Sequence, residues 1–227
     1  MDPFEHEQPE AFPEANAEFF HILLPYEMRL TQRRAMGWGP TPDEELPPLF
    51  IGLYLIRIVP LEDTQIFPDE HTLESIHVDF FTALRRALRD SDILGRFGPN
   101  EFLALVRDLD PEQSYVVAQR VLSITNRSDV LRNAGLTARV GYLIYPLTTQ
   151  PNLPGEQWTD LVDLARVVGR RPAPSEGATG FGILRGSEIT QTDLPETDLI
   201  NLATQDLETL ASAGLIRLQR IHLLSDR

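Results

Sequence analysis

The sequence predicts an α+β domain whose core runs β-α-β-β-α-β, the split βαβ or ferredoxin-like arrangement. Three observations predict it. Residues 49–59, LFIGLYLIRIV, are apolar almost throughout, as a central strand covered on one or both faces would be. Residues 69–89 follow, with Leu73, Ile76, Phe80, Leu84 and Leu88 recurring at three- and four-residue steps, the stripe of an amphipathic helix. Two short apolar runs, 93–97 and 101–106, then flank Gly98-Pro99-Asn100 and read as a β-hairpin.

The remaining elements follow in order. Residues 1–17 are acidic and proline-bearing, and predict a mobile arm. A helix is predicted across 17–36, with Phe19, Phe20, Ile22, Leu23, Met28 and Leu30 as apolar contacts and a kink or interruption near Pro25. Gly39, Pro40, Pro42, Pro47 and Pro48 make 37–48 a loop. Arg85, Arg86 and Arg89 close the helix at 69–89 and suit its dipole. Asp110-Pro111 supplies an N-cap and a proline at the first helical position, predicting a helix over 111–124 with Val117, Val121 and Ile124 on one face. A strand is expected at 136–145, stopped by Pro146. A helix at 158–168 and a short strand at 181–184 complete the domain, taken as 18–186. Beyond it, 187–227 reads as a C-terminal helical extension. Its helix starts at Pro195 and carries Leu199, Leu202, Ala203, Leu207 and Leu210 to about Ala213, where Gly214 ends it. Residues 215–224 fit a helix or a strand equally.

Composition narrows the function. With 227 residues the chain can bury a proper core, and with no cysteine it forms neither a disulfide nor a thiolate metal site. A net charge of −14 disfavours nucleic acid and anionic membranes as partners. Screening over roughly 8 Å still lets a local arginine cluster override that sign. Every basic side chain is arginine. Nothing at the N-terminus resembles a signal peptide, and the longest apolar run, broken by Arg57, is too short to span a bilayer. A cytoplasmic protein without membrane insertion is expected. The histidines do not pair at metal-ligand spacing, His71 and His77 being six residues apart. Gly177-Ala-Thr-Gly180-Phe-Gly182 is phosphate-loop-like in composition but precedes a strand, not a helix, and reads as a turn.

The hairpin tip, Gly98-Pro99-Asn100-Glu101-Phe102, resembles the GGDEF motif of diguanylate cyclases. Five residues before it, Arg89-Asp90-Ser91-Asp92 fits the RxxD inhibitory site (I-site) where that family binds cyclic di-GMP. The resemblance spans about 18–186 and implies a palm-type fold. A diguanylate cyclase joins two GTP molecules, each held in one protomer of a dimer. Its divalent metal is bound by an aspartate at the end of the first strand and an acid at the motif's third position. By that resemblance the strand position falls on Arg57 and the motif acid on Asn100, so two hard oxygen ligands are missing. Glu101 alone is a poor substitute. Gly98 is retained, but Pro99 replaces the glycine that lets backbone approach the phosphates. The guanine-facing positions fall on Gln65 and Glu74, and the family's phosphate-contacting lysine is absent. The resemblance therefore implies a degenerate, non-enzymatic domain with no metal and no cofactor.

The I-site residues are chemically apt. Arg89 can donate a bidentate pair to a guanine edge or phosphate, and Asp92 can accept from guanine N1–H and N2–H₂. Placed one helical turn apart at the helix end, they are expected to project together. The resemblance brings a further arginine from the following helix of a neighbouring site, for which Arg120 is the candidate. Arg85, Arg86 and Arg96 add positive potential. Charge-assisted hydrogen bonds contribute roughly 1.5–3 kcal/mol each. An ordinary surface ion pair between Arg89 and Asp92 is the competing reading. The function expected is a cyclic di-GMP receptor signalling to a protein partner, with a homodimer as a further expectation. The alternatives are a ligand-free scaffold or dimerisation module and a GTP-binding regulatory domain.

Overall fold

The computed structural model of the chain describes residues 17–37, 50–61, 66–171, 178–191 and 194–223. The predicted arm before Ala17, most of the predicted loop at 37–48, Gln65 and the start of the glycine stretch at Gly177 lie outside the described residues.

Six strands form one mixed sheet. Strand β1 (Ile51–Pro60) is central, paired antiparallel with β3 (Glu101–Val106) and with β4 (Leu136–Tyr145). Strand β2 (Ile93–Gly98) closes the hairpin with β3, while β5 (Ala178–Arg185) runs parallel to β4 and β6 (Ile216–Leu223) antiparallel to β5. The order is β2-β3-β1-β4-β5-β6. Alternation along β1 divides the core in two. Leu53 and Leu55 face helices α1 (Ala17–Ala35), α5 (Trp158–Gly169), α6 (Glu196–Gln205) and α7 (Leu207–Ser212). Tyr54, Ile56 and Ile58 face α2 (Glu70–Ala87), α3 (Ser114–Asn126) and α4 (Asp129–Asn133). No helix among the described residues is long and apolar enough to cross a membrane.

Several expectations change. Pro25 sits inside an unbroken α1, whose buried positions are Phe20, Leu24 and Met28, while Phe19 and Ile22 face solvent. An ion pair from Glu27 to Arg107 and bonds from Gln32 Nε2 to the Tyr145 hydroxyl (2.8 Å) and Leu153 carbonyl (2.6 Å) fix α1 to the sheet. Residues 111–113 form a 3₁₀ turn before α3 begins. Helix α4 was not expected; Ser128 caps it by accepting from the Leu131 N–H at 3.3 Å. The single helix expected over 195–213 breaks at Asp206 (φ −148°, ψ 84°), whose carboxylate accepts from the Thr209 N–H at 3.1 Å and starts α7. Residues 216–223 are a strand. The extension is thus helical but also contributes a strand to the domain's own sheet.

Glycine 141 sets how closely α5 lies on the sheet. A Cβ there would stand 1.9 Å from the Ala165 carbonyl oxygen and 2.6 Å from the Gly169 nitrogen, both backbone atoms of α5. Gly141→Ala is therefore expected to lift α5 and cost about 2–3 kcal/mol, read as a lower urea midpoint.

Glu196 joins the extension to the domain. Fully buried, its Oε1 accepts from the N–H groups of Leu147 (2.6 Å) and Thr148 (3.4 Å), and its own N–H donates to Asn152 Oδ1 at 3.1 Å. Burial pushes its pKa up to about 7, against the opposing pull of those hydrogen bonds and of Arg185. An acid that binds its proton more tightly when folded stabilises the fold below its unfolded pKa and loses that contribution as pH rises through the folded value. Stability is expected to fall by on the order of 2–3 kcal/mol between about pH 4.5 and 7 on this account. Urea titrations at several pH values should show that slope flattened in Glu196→Gln.

Candidate functional site

The sheet register assembles a charged cluster at the hairpin end. Arg57 of β1 stands opposite Glu101 of β3 on one side and Arg139 of β4 on the other. All three share the parity of Leu55 and so face α5. From α5, Arg166 grips Glu101 with a two-pronged fork, Nε to Oε1 at 3.1 Å and Nη2 to Oε2 at 3.0 Å, while its Nη1 donates to Asp163. Both partners are largely buried, and the pairing raises the Arg166 pKa. Arg57 is half-buried; desolvation and the neighbouring guanidiniums of Arg170, Arg139 and Arg166 pull its pKa down, with Glu101 opposing. This donor set does not fit a divalent cation: its acid has both oxygens on Arg166, and a guanidinium stands beside it. Among the described residues no group of three or more aspartate, glutamate or histidine side chains converges so as to hold a metal ion.

Arg139, Arg166 and Arg170 were not anticipated. The signal was partial. Arg166 and the C-cap Arg170 lie four apart at the end of α5, but only the sheet register brings Arg166 to Glu101 and Arg170 near Arg57.

At the tip itself, the Asn100 carbonyl accepts from the Ile58 N–H at 2.9 Å, while its Oδ1 is buried without a hydrogen-bond partner among the described residues. Arg96 holds Glu74 through Nη1 at 2.9 and 2.8 Å and donates through Nη2 to the Pro99 carbonyl at 3.2 Å. That bond is the main cause holding the Glu74 pKa below its usual range. Arg96 thus serves the tip and not the I-site potential to which it was assigned. Beneath it, buried His77 lies 3.6 Å from Glu74, its ring edge-on to Phe102, and burial lowers its pKa.

The RxxD segment is not helical. Helix α2 ends at Ala87, Leu88 is extended, and residues 89–92 form a turn closed by the Asp92 N–H donating to the Arg89 carbonyl at 3.0 Å. Asp92 also turns its carboxylate inward, Oδ2 accepting from the Arg89 N–H at 2.8 Å. The expected one-helical-turn spacing of Arg89 and Asp92 is therefore a β-turn. Arg85 locks it, donating to the carbonyls of Asp92 (2.8 Å) and Arg89. Arg86, Arg89 and Arg120 are exposed. Arg120 reaches back along the same chain, its Nη1 3.4 Å from the Ala87 carbonyl. The fold therefore brings Arg86, Arg89, Asp92 and Arg120 together around the C-terminus of α2. Asp92 is 5% exposed, and its Oδ1 has no hydrogen-bond partner among the described residues.

No family model matches this chain, and no curated protein matches it. Solved structures do. It is similar to the GGDEF domain of FimX from Pseudomonas aeruginosa, with a TM-score of 0.55 at 16% identity over 73% of this chain and 95% of that one. It is similar to the diguanylate cyclase SiaD from the same organism, solved with its activator SiaC (TM-score 0.52, 20% identity, 69% and 55% covered). A third is the coiled coil and GGDEF domain of DgcB from Caulobacter crescentus in complex with c-di-GMP (TM-score 0.50, 14% identity, 74% and 81% covered). The split βαβ order, the central hairpin against β1 and these matches agree: the chain has the fold of a GGDEF domain.

Proposed function

We propose that the chain is a non-catalytic GGDEF-like signalling domain that binds cyclic di-GMP at the Arg89–Asp92 turn and passes its occupancy to a protein partner. One observation carries the reading. Asp92, at a turn where Arg86, Arg89 and Arg120 are exposed, has a buried carboxylate oxygen with no hydrogen-bond partner among the described residues. Guanine offers the N1–H and N2–H₂ donors that such an oxygen accepts, and its Hoogsteen edge and the phosphates offer the acceptors that arginine pairs with. Oδ2 can remain on the Arg89 N–H throughout, so binding does not cost the turn its closure.

The hairpin end supports the non-catalytic half. Phosphoryl transfer needs charge neutralised on a triphosphate by hard, acid-held cations, and here Arg57 stands where an acid would be and Glu101 is engaged by Arg166. DgcB crystallised with c-di-GMP and SiaD with a protein activator are the similar structures that make ligand and partner reasonable classes to test.

Calorimetry with cyclic di-GMP at tens of micromolar should show saturable heat for the wild type and none for Arg89→Ala. Arg120→Ala should weaken binding about tenfold. No heat from the wild type would remove the receptor reading. Separately, GTP incubated with the protein and Mg²⁺ or Mn²⁺ should be recovered unchanged; formation of a dinucleotide would overturn the non-catalytic assignment.

A further inference from the structure

A second pocket, of about 680 Å³, opens at the other end of the sheet. Its volume falls within the range of small-molecule sites. It sits at the carboxyl ends of the parallel strands β4 and β5, where open sheets hold ligands, and at the amino end of β1. Phe50 and Arg57 are seven residues apart along the chain, which puts the pocket roughly 23 Å along the sheet from the hairpin cluster. Its walls come from two parts of the chain. The GGDEF-like region contributes Phe50, Ile144 and Leu184; the C-terminal segment contributes Ala211, Ile216 and Leu218.

The charge on this pocket is unbalanced. Arg185, at the end of β5, lines it, with Nη2 donating to the carbonyls of Pro146 (3.3 Å) and Thr148 and the guanidinium 5.4 Å over the Phe50 ring. Its Nε–H is buried without a partner among the described residues. Carbonyls orient a guanidinium but do not neutralise it. The two acids of the lining are already engaged, Glu112 with Arg217 at 2.9 Å and Glu208 with Arg171. Glu196 acts on Arg185 electrostatically, but its own burial raises its pKa and disfavours its charged form. A sequestered cation beside an apolar floor calls for an anion with an apolar body.

We propose that this pocket binds a small organic acid, its apolar body against Phe50, Ile144 and Leu184 and its carboxylate facing Arg185. A single guanidinium suits one carboxylate, where a polyphosphate would call for several cations. Because both parts of the chain line the pocket, an occupant would bridge α7 and β6 to the GGDEF-like region. The site is independent of the Arg89–Asp92 turn.

The test uses 1-naphthoate and its neutral analogue 1-naphthalenemethanol as probes, followed by calorimetry and by ligand-detected NMR on the full chain. Naphthoate should bind saturably with Kd below about 1 mM, and at least about tenfold tighter than the alcohol. Arg185→Gln should erase the preference for the acid. Leu218→Trp, which fills the pocket from its partly exposed rim, should abolish binding of both probes, while Arg89→Ala should leave it unchanged. Equal affinity for acid and alcohol in the wild type, binding that survives Leu218→Trp, or no binding of naphthoate at millimolar concentration would each overturn the proposal.

Discussion

The fork between Arg166 and Glu101 decides what the hairpin end of this sheet can do. It depends on a chain of packing. Gly141 leaves space for the α5 backbone to rest on β4, and α5 at that height brings Arg166 to the row formed by Arg57, Glu101 and Arg139. Releasing Glu101 to another ligand would strand a guanidinium that is 23% exposed against a carboxylate that is 14% exposed. Breaking a largely buried pair from one side is far costlier than forming it is favourable. The local chemistry is cationic because the packing holds it so.

A similar economy governs the turn after α2. A helix leaves its last carbonyls without partners. Here Arg85, from the last turn of α2, reaches past the end to the carbonyls of Arg89 and Asp92, and Arg120 approaches that of Ala87. Cations at a helix C-terminus also suit its dipole. Arg120 thus meets a terminal helix carbonyl, while Arg85 holds the turn that follows the helix. Asp92 is divided, one oxygen closing the turn and the other without a partner among the described residues.

Much of the architecture was legible in the residues. A run such as IGLYLIRIVP, apolar on both parities, has no stable place except between two covered faces, and it became the central strand. Pairs of groups far apart in sequence were not legible. Arg166 and Glu101 are 65 residues apart, Arg96 and Glu74 are 22, and no periodicity relates them. The end of α2 escaped because RRALR, residues 85–89, consists of good helix formers. Burial of Leu88 in an extended conformation and the reach of Arg85 stop the helix, and both are tertiary. The break at Asp206 did carry a signal, since aspartate three residues before Thr209 is a favourable N-cap. It was outweighed by the run of helix formers around it. Residues 216–223 could be neither helix nor strand on their own terms; the open edge of β5 made them a strand.

That sixth strand also explains how the C-terminal segment is held. Strand β6 covers the β5 edge, which would otherwise offer unpaired peptide groups. The loop after β4 completes the attachment from the other side. Arg185 takes the carbonyls of Pro146 and Thr148, while Glu196 takes the N–H groups of Leu147 and Thr148. Across the Pro146–Leu147 peptide the cation sits at the negative end of the dipole and the acid at its positive end, so the two side chains act on each other through the backbone between them. Neutralising Glu196 weakens its hold on those N–H groups and leaves the Arg185 charge less answered. Protonating Glu196 therefore loosens this clasp and strengthens the neighbouring pocket's pull on an anion, so the two vary in opposite directions.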